Sequence, residues 1–259
     1  MKKIVLKKLG IVLAPFKSII VGLIEIEAFL SSRWASGSHH RLFLATWGIP
    51  KNPESFDHNL DLYYFWRKTR NAHWLERGAF NSLVLKPNGS MLEIACGDGF
   101  NARNFYSSIA SEIVACDFDK DAISLAKRKN SNRNIRYVVA DVRNNMPEGN
   151  FNNVICDMAL EHFTTHEIES IMPAIKNRLV ENKGVFSGVT IVEREDGKKS
   201  LEQHEYEFKD MQDLKRFLSP YFSNVIVFET IYPSRHNLYF WASDFNLPFS
   251  PEWPHCLMD

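Results

Sequence analysis

Cysteine, net charge and long apolar runs are what this chain has least of. Its four cysteines, at positions 96, 116, 156 and 256 of 259 residues, form no C-x-x-C pair and no zinc-ligand spacing. That excludes a disulfide scaffold and a zinc module. Cys96, Cys116 and Cys156 each close an apolar run and read as small buried hydrophobes. The 31 Lys and Arg balance 31 Asp and Glu. With no excess of positive charge to meet a phosphate backbone, nucleic acid is not expected as a partner. No apolar run approaches the roughly 20 residues that a membrane span needs, and no internal repeat or low-complexity tract is present. What remains is ordinary: 45% hydrophobic and 24% charged residues, in a chain long enough for one substantial core and an accessory segment.

The accessory segment is N-terminal. Residues 1–30 interleave Lys2, Lys3, Lys7, Lys8 and Lys17 with Ile4, Val5, Leu6, Leu9, Ile11 and Phe16, and then run into Ile19–Ile24. The lysines and Pro15 interrupt the apolar stretch that a signal peptide would need. Two readings stay open. The segment folds over the main domain as a lid, lysine stems covering apolar surface, or it lies as a basic amphipathic element on an anionic membrane surface. The lid is preferred. The expected location is the cytoplasm, with peripheral contact at the inner membrane face under the second reading. Ser31–Pro53 reads as turn-rich, ending in the extended Ile49-Pro50-Lys51-Asn52-Pro53. Leu60–Phe80, dense in aromatics with Arg67, Arg70 and Arg77 interleaved, reads as one or two helices. The expected division is an N-terminal helical extension over 1–86 and a main domain over 87–259.

From Lys86-Pro87-Asn88-Gly89 onward, strands and helices alternate. Strands are expected at 91–95, 112–116, 135–140, 151–156 and 184–192. Helices are expected from about Asn101, over Lys120–Lys129 with Asp119 as N-cap, from the Thr164–Glu167 capping box to Leu179, and over Lys209–Leu218. Such alternation implies an α/β fold with a parallel sheet covered on both faces. The last two strands, Val225–Glu229 and Leu238–Trp241, are joined by too few residues for a parallel crossover and must run antiparallel.

The chemistry concentrates in Met91-Leu92-Glu93-Ile94-Ala95-Cys96-Gly97-Asp98-Gly99-Phe100. An apolar strand breaks into Gly97 and Gly99, where backbone can approach a ligand that a Cβ would obstruct. Asp117 closes the second strand about 20 residues further on, the position from which a carboxylate accepts ribose hydroxyls. An adenosine-containing cofactor is therefore expected. Gly97-Asp98-Gly99-Phe100-Asn101-Ala102 also fits G-x-G-x-x-G/A, so a nicotinamide oxidoreductase is an alternative.

Glu93, four residues before Gly97, tips the balance: Leu92–Phe100 resembles motif I of the class I S-adenosylmethionine-dependent methyltransferases, with Ala95 where the first glycine is usual. Asp117-Phe118-Asp119, the strand ending at Asp141-Val142, and Phe151–Asp157 resemble the elements that follow in that family, and Leu160-Glu161-His162 resembles its ubiquinone-biosynthesis-like branch. The resemblance implies a Rossmann-like, doubly wound, seven-stranded sheet, mostly parallel with an antiparallel last strand. It implies S-adenosyl-L-methionine as cofactor, with Glu93, Ala95, Gly97 and Gly99 at its methionine end and Asp117 on the ribose. Phe118 is then expected on a face of the adenine, Asp141 and Val142 around its edge, and Asp157 at the fourth strand's end.

For the acceptor, His162 and His204 stand out, because imidazole is the commonest general base near neutral pH. His162 falls just past the fourth strand, at the edge where substrates meet the cofactor, and His204 in an acid-rich polar loop after the fifth. The bland readings are a packed helix-capping residue for His162 and a solvated acidic face for His204. No metal site is expected, His39-His40 alone being poor evidence. The preferred activity is O-methylation of a small-molecule or glycan-like acceptor, with C-methylation of a quinone-like lipid as the alternative.

Overall fold

The computed structural model describes residues 17–47, 66, 70–194, 196–233, 235–247 and 249. The lysine-rich start, Pro15, the Ile49–Pro53 linker, most of residues 60–69 and Cys256 lie outside the described residues. The chain divides into two compact units between Ile49 and Pro50.

In the first unit a helix, α1, spans Lys17–Trp47. This corrects the turn-rich reading of the segment beginning at Ser31. No proline falls between Pro15 and Pro50, and the serines and Gly37 each cost a helix about 1 kcal/mol or less. Ile19, Leu23, Ile24, Ile26, Phe29, Leu30 and Trp34 are exposed along it. No helix among the described residues is long and apolar enough to cross a membrane.

The second unit contains α2 (His73–Ser82) and a seven-stranded sheet: β1 Ser90–Ile94, β2 Glu112–Asp117, β3 Ile135–Val139, β4 Asn153–Asp157, β5 Val185–Ile191, β6 Asn224–Tyr232 and β7 Arg235–Ser243. Helices α3 (Lys120–Lys129), α4 (Thr165–Arg178) and α5 (Met211–Leu218) lie between the strands. The strand order is β3-β2-β1-β4-β5-β7-β6. Strands β1 to β5 pair in parallel, whereas β7 is antiparallel to both β5 and β6. The chain winds outward from β1 to β3 and then returns to place β4 on the other side of β1. That reversal opens a crevice at the carboxyl ends of β1 and β4, where ligands of open α/β sheets bind.

Alternation along the strands builds both layers of the core. Leu92, Ile94, Val154, Cys156 and Phe186 face Ile171, Met172 and Ile175 of α4 and Leu214 and Leu218 of α5. Met91, Ala115 and Ile155 face Ala102 and Tyr106, together with Ile123 and Ala126 of α3. The cysteines at 96, 116 and 156 are free and buried, as small hydrophobes. Caps start the helices where expected: Asp119 accepts from the Asp121 amide at 2.7 Å, and Thr164 and Glu167 form a reciprocal capping box. The last hairpin is tighter than expected, β6 running to Tyr232 and β7 starting at Arg235.

Candidate functional site

The crevice is built from the loop that leaves β1. Ala95, Gly97 and Gly99 all have left-handed backbones, with φ of 56°, 54° and 72°. The loop therefore turns at every second residue, and Ala95 takes a conformation that favours glycine, which explains why the related motif carries glycine there. A Cβ on Gly99 would collide with the Tyr137 ring and hydroxyl. Tyr137 holds the loop from β3: its hydroxyl lies 2.8 Å from the Asn130 carbonyl and 3.2 Å from that of Gly99. The Asn130 amide in turn donates to the Asp98 carbonyl at 2.8 Å. Beyond the loop the backbone enters a π-helical turn over Ala102–Tyr106, a form frequent at functional sites.

Asp117 sits at the end of β2 and is buried. One carboxylate oxygen accepts from the Gly97 amide at 3.0 Å and the other from the Asp119 amide at 2.9 Å. Burial raises its pKa, and these amide bonds oppose the rise. Next to it Phe118 is 52% exposed at the rim, open to lie against a flat ligand. Asp141 follows β3 and is gripped by Arg143, whose Nε and terminal nitrogen approach it to 2.8 and 2.7 Å. That grip lowers the Asp141 pKa. The Arg143 guanidinium also lies 6.0 Å from the Phe118 ring. Val142 is buried beside Asp141.

Beneath the loop, Glu93 is buried with one carboxylate oxygen unpaired. Burial, then the neighbouring Asp157 carboxylate, raises its pKa well above the usual range, with Arg77 opposing. Asp157 at the end of β4 forms a buried ion pair with Arg77 of α2, Nε lying 2.9 Å from both oxygens. The Asn101 amide donates to the same carboxylate at 2.7 Å. Arg77 also lies 4.8 Å from the Trp74 ring centroid. Arg77, Asn101, Tyr137 and Asn130 were missed by sequence reasoning. The signal available was an arginine in an aromatic helical stripe and a tyrosine on the inward face of a strand.

A second cluster lies along the same edge. His162 ends the short 3₁₀ turn Leu160–His162 after β4, and His204 comes from the loop after β5. Their rings meet edge to face, 4.8 Å between centroids. Glu161, fully buried, accepts from the Thr190 hydroxyl of β5 at 3.1 Å. Burial raises its pKa, opposed by the two histidines. His204 is buried, its Nδ1 against the Glu207 carboxylate. His204 is thus buried against Glu207, in place of the solvated position of the bland reading.

Residues 91–182 match a family described as a methyltransferase domain. No curated protein matches the chain. Among solved structures, the DhpI complex with SAM and HEP superposes with a TM-score of 0.54 at 17% identity, covering 82% of this chain and 96% of that one. A candidate methyltransferase from Bacillus halodurans C-125 gives a TM-score of 0.53 at 18% identity over 65% of this chain and 99% of its own. The plantazolicin methyltransferase BpumL, solved with SAH, gives 0.53 at 14% identity over 71% and 89%. At these identities the structures speak for the fold, and the matched domain speaks for methyl transfer. With β7 antiparallel, they set aside the nicotinamide alternative.

Proposed function

We propose that this chain, a class I methyltransferase, uses S-adenosyl-L-methionine to methylate a hydroxyl oxygen of a small-molecule or glycan-like acceptor. The observation that carries the cofactor reading is the left-handed turn at 95, 97 and 99 tied through the Gly97 amide to Asp117. When bound, the cofactor supplies an electrophilic methyl group on a cationic sulfur, so the enzyme's task is mainly one of positioning.

Asp117 is assigned to the ribose hydroxyls, its remaining lone pairs free beside two amide bonds already made. Gly97 and Gly99 allow close backbone approach, and Glu93 acts from below by ordering the loop. Phe118 covers a face of the adenine, and Asp141 with Val142 borders it once Arg143 gives way. Asp157 supports the loop through Arg77 and Asn101. An acceptor hydroxyl must lose its proton around transfer. That task falls to the corner of Glu161, His162 and His204. C-methylation of a quinone-like lipid is the second reading, favoured by the exposed apolar side chains of α1.

Calorimetric titration with S-adenosylhomocysteine, with NADH for comparison, tests the cofactor. Micromolar binding of the first and none of the second is expected; the reverse would overturn the residue roles. Release of S-adenosylhomocysteine in a panel of phenols, sugars and quinols then tests the acceptor. Turnover only with carbon nucleophiles would replace the O-methylation reading.

A further inference from the structure

Glu161, His162 and His204 each engage one polar atom with a fixed partner. Glu161 takes the Thr190 hydroxyl on one carboxylate oxygen at 3.1 Å, and its other oxygen, Oε1, is buried without a partner. His204 turns Nδ1 to the Glu207 carboxylate, and its Nε2 is likewise buried without a partner. His162 directs Nδ1 to the Gln203 carbonyl at 3.3 Å, which leaves Nε2 as its other ring nitrogen. One ligand-capable atom from each of the three lies within 4.8 Å of the others.

The protonation pattern matters more than the proximity. A carboxylate and a carbonyl only accept hydrogen bonds, so both imidazoles donate from Nδ1 and, when neutral, carry a lone pair on Nε2. The free atoms of Glu161 and His204 are then both acceptors, buried near one another, an arrangement that costs free energy unless a positive species lies between them. A proton satisfies one such pair. Three acceptors brought together from one 3₁₀ turn and the loop after β5 suit a cation.

We infer that Glu161, His162 and His204 form a binding site for a divalent first-row transition ion, of the Zn²⁺, Co²⁺, Mn²⁺ or Fe²⁺ class. Two imidazoles and one carboxylate favour these ions over Mg²⁺, which prefers oxygen ligands. Glu207 and Gln203 orient the imidazoles as second-layer partners do in metal sites. The backbone is braced for it: the Glu161 carbonyl accepts from the amides of Glu205 at 2.7 Å and Tyr206 at 3.2 Å, and the Ser200 amide donates to Glu207 at 2.7 Å. Three protein ligands leave coordination positions open. On the proposed methyltransferase reading, which this use of the site rests on, an acceptor hydroxyl fills one of them. The ion acidifies it, its proton passes to solvent, and the imidazoles serve as ligands in place of a free base.

The test is titration of the chelator-stripped full chain with Co²⁺, Zn²⁺ and Mg²⁺, by calorimetry and, for Co²⁺, by visible absorption. S-adenosylhomocysteine binding is measured in every sample as a fold control. Stoichiometric Co²⁺ and Zn²⁺ binding, tighter than Mg²⁺, is expected. Glu161→Gln and His204→Gln should abolish it, and Glu207→Gln should weaken it by about 10–100-fold, with cofactor-product binding retained. Should the two ligand variants lose the fold, the Glu207→Gln comparison and the wild-type Co²⁺ spectrum decide. Wild-type protein that binds S-adenosylhomocysteine but no transition ion overturns the inference. So does ion affinity unmoved by the folded variants. Ion binding without S-adenosylhomocysteine binding would instead sink the methyltransferase reading and leave the ion site standing. Turnover that survives chelation but falls in His162→Ala would return the imidazole to the role of base.

Discussion

The crevice beside β1 and the corner after β4 share the carboxyl edge of one sheet, and both are rich in buried acids, yet they are finished differently. In the crevice the acids at the strand ends are answered from within the protein, although Glu93 beneath the loop keeps one buried carboxylate oxygen without a partner. Asp117 holds two backbone amides, Asp157 holds Arg77 and Asn101, and Tyr137 pins the loop. In the corner, Glu161 and His204 are each held on one side and left open on the other. A cradle that presents backbone must be rigid before its ligand arrives, because its contribution is shape. A donor set built around a point charge stays incomplete until the charge is present.

The largest test of that contrast removes a support from the crevice. Arg77→Ala leaves Asp157 as a buried carboxylate without its cation and should cost about 3–5 kcal/mol in urea unfolding. A loss below about 1 kcal/mol would mean the pair is solvated in solution. Next, Asp117→Ala should weaken S-adenosylhomocysteine binding by about 1–3 kcal/mol in calorimetry. Unchanged affinity would separate the carboxylate from the ribose.

Glu93 gives a pH signature. Its raised pKa means that folding takes up a proton there. The resulting stability is fully present below the unfolded carboxyl value and is lost as pH rises through the folded value. The stability of wild type relative to Glu93→Gln should therefore fall as pH rises above the ordinary carboxyl range. A constant difference across denaturation curves at both ends would show that Glu93 is not the group titrating. The smallest effect belongs to Ala95→Gly. Releasing a left-handed alanine recovers roughly 1–2 kcal/mol, less the backbone freedom that glycine adds to the unfolded chain, roughly 0.5–1 kcal/mol. A gain of up to about 1.5 kcal/mol in thermal melting is expected, and a loss would mean that the methyl group packs.

Much of the fold was legible because its signals are local. Alternating apolar runs, the Thr164–Glu167 box, the Asp119 cap and the short link between the last strands each act within a few residues, and the structure carries all of them. The expectation that failed, turns from Ser31 onward, gave weight to serine and glycine where the absence of proline mattered more. In the candidate site, spacing along one βαβ unit singled out Glu93, Gly97, Gly99 and Asp117, and the structure brings them to one sheet edge, Asp117 accepting from the Gly97 amide.

What sequence determined by itself was the class of sheet and the place where its glycine loop opens, since periodicity and turn chemistry are set by neighbours in the chain. Only tertiary structure decided that Arg77 neutralises Asp157 across 80 positions. Only it brought His204, 42 positions on, beside His162, with Thr190 and Glu207 holding the acids and imidazoles in place. Contacts of that kind form where strands converge at a sheet edge, and the energy of a buried charge depends on what the fold brings to it.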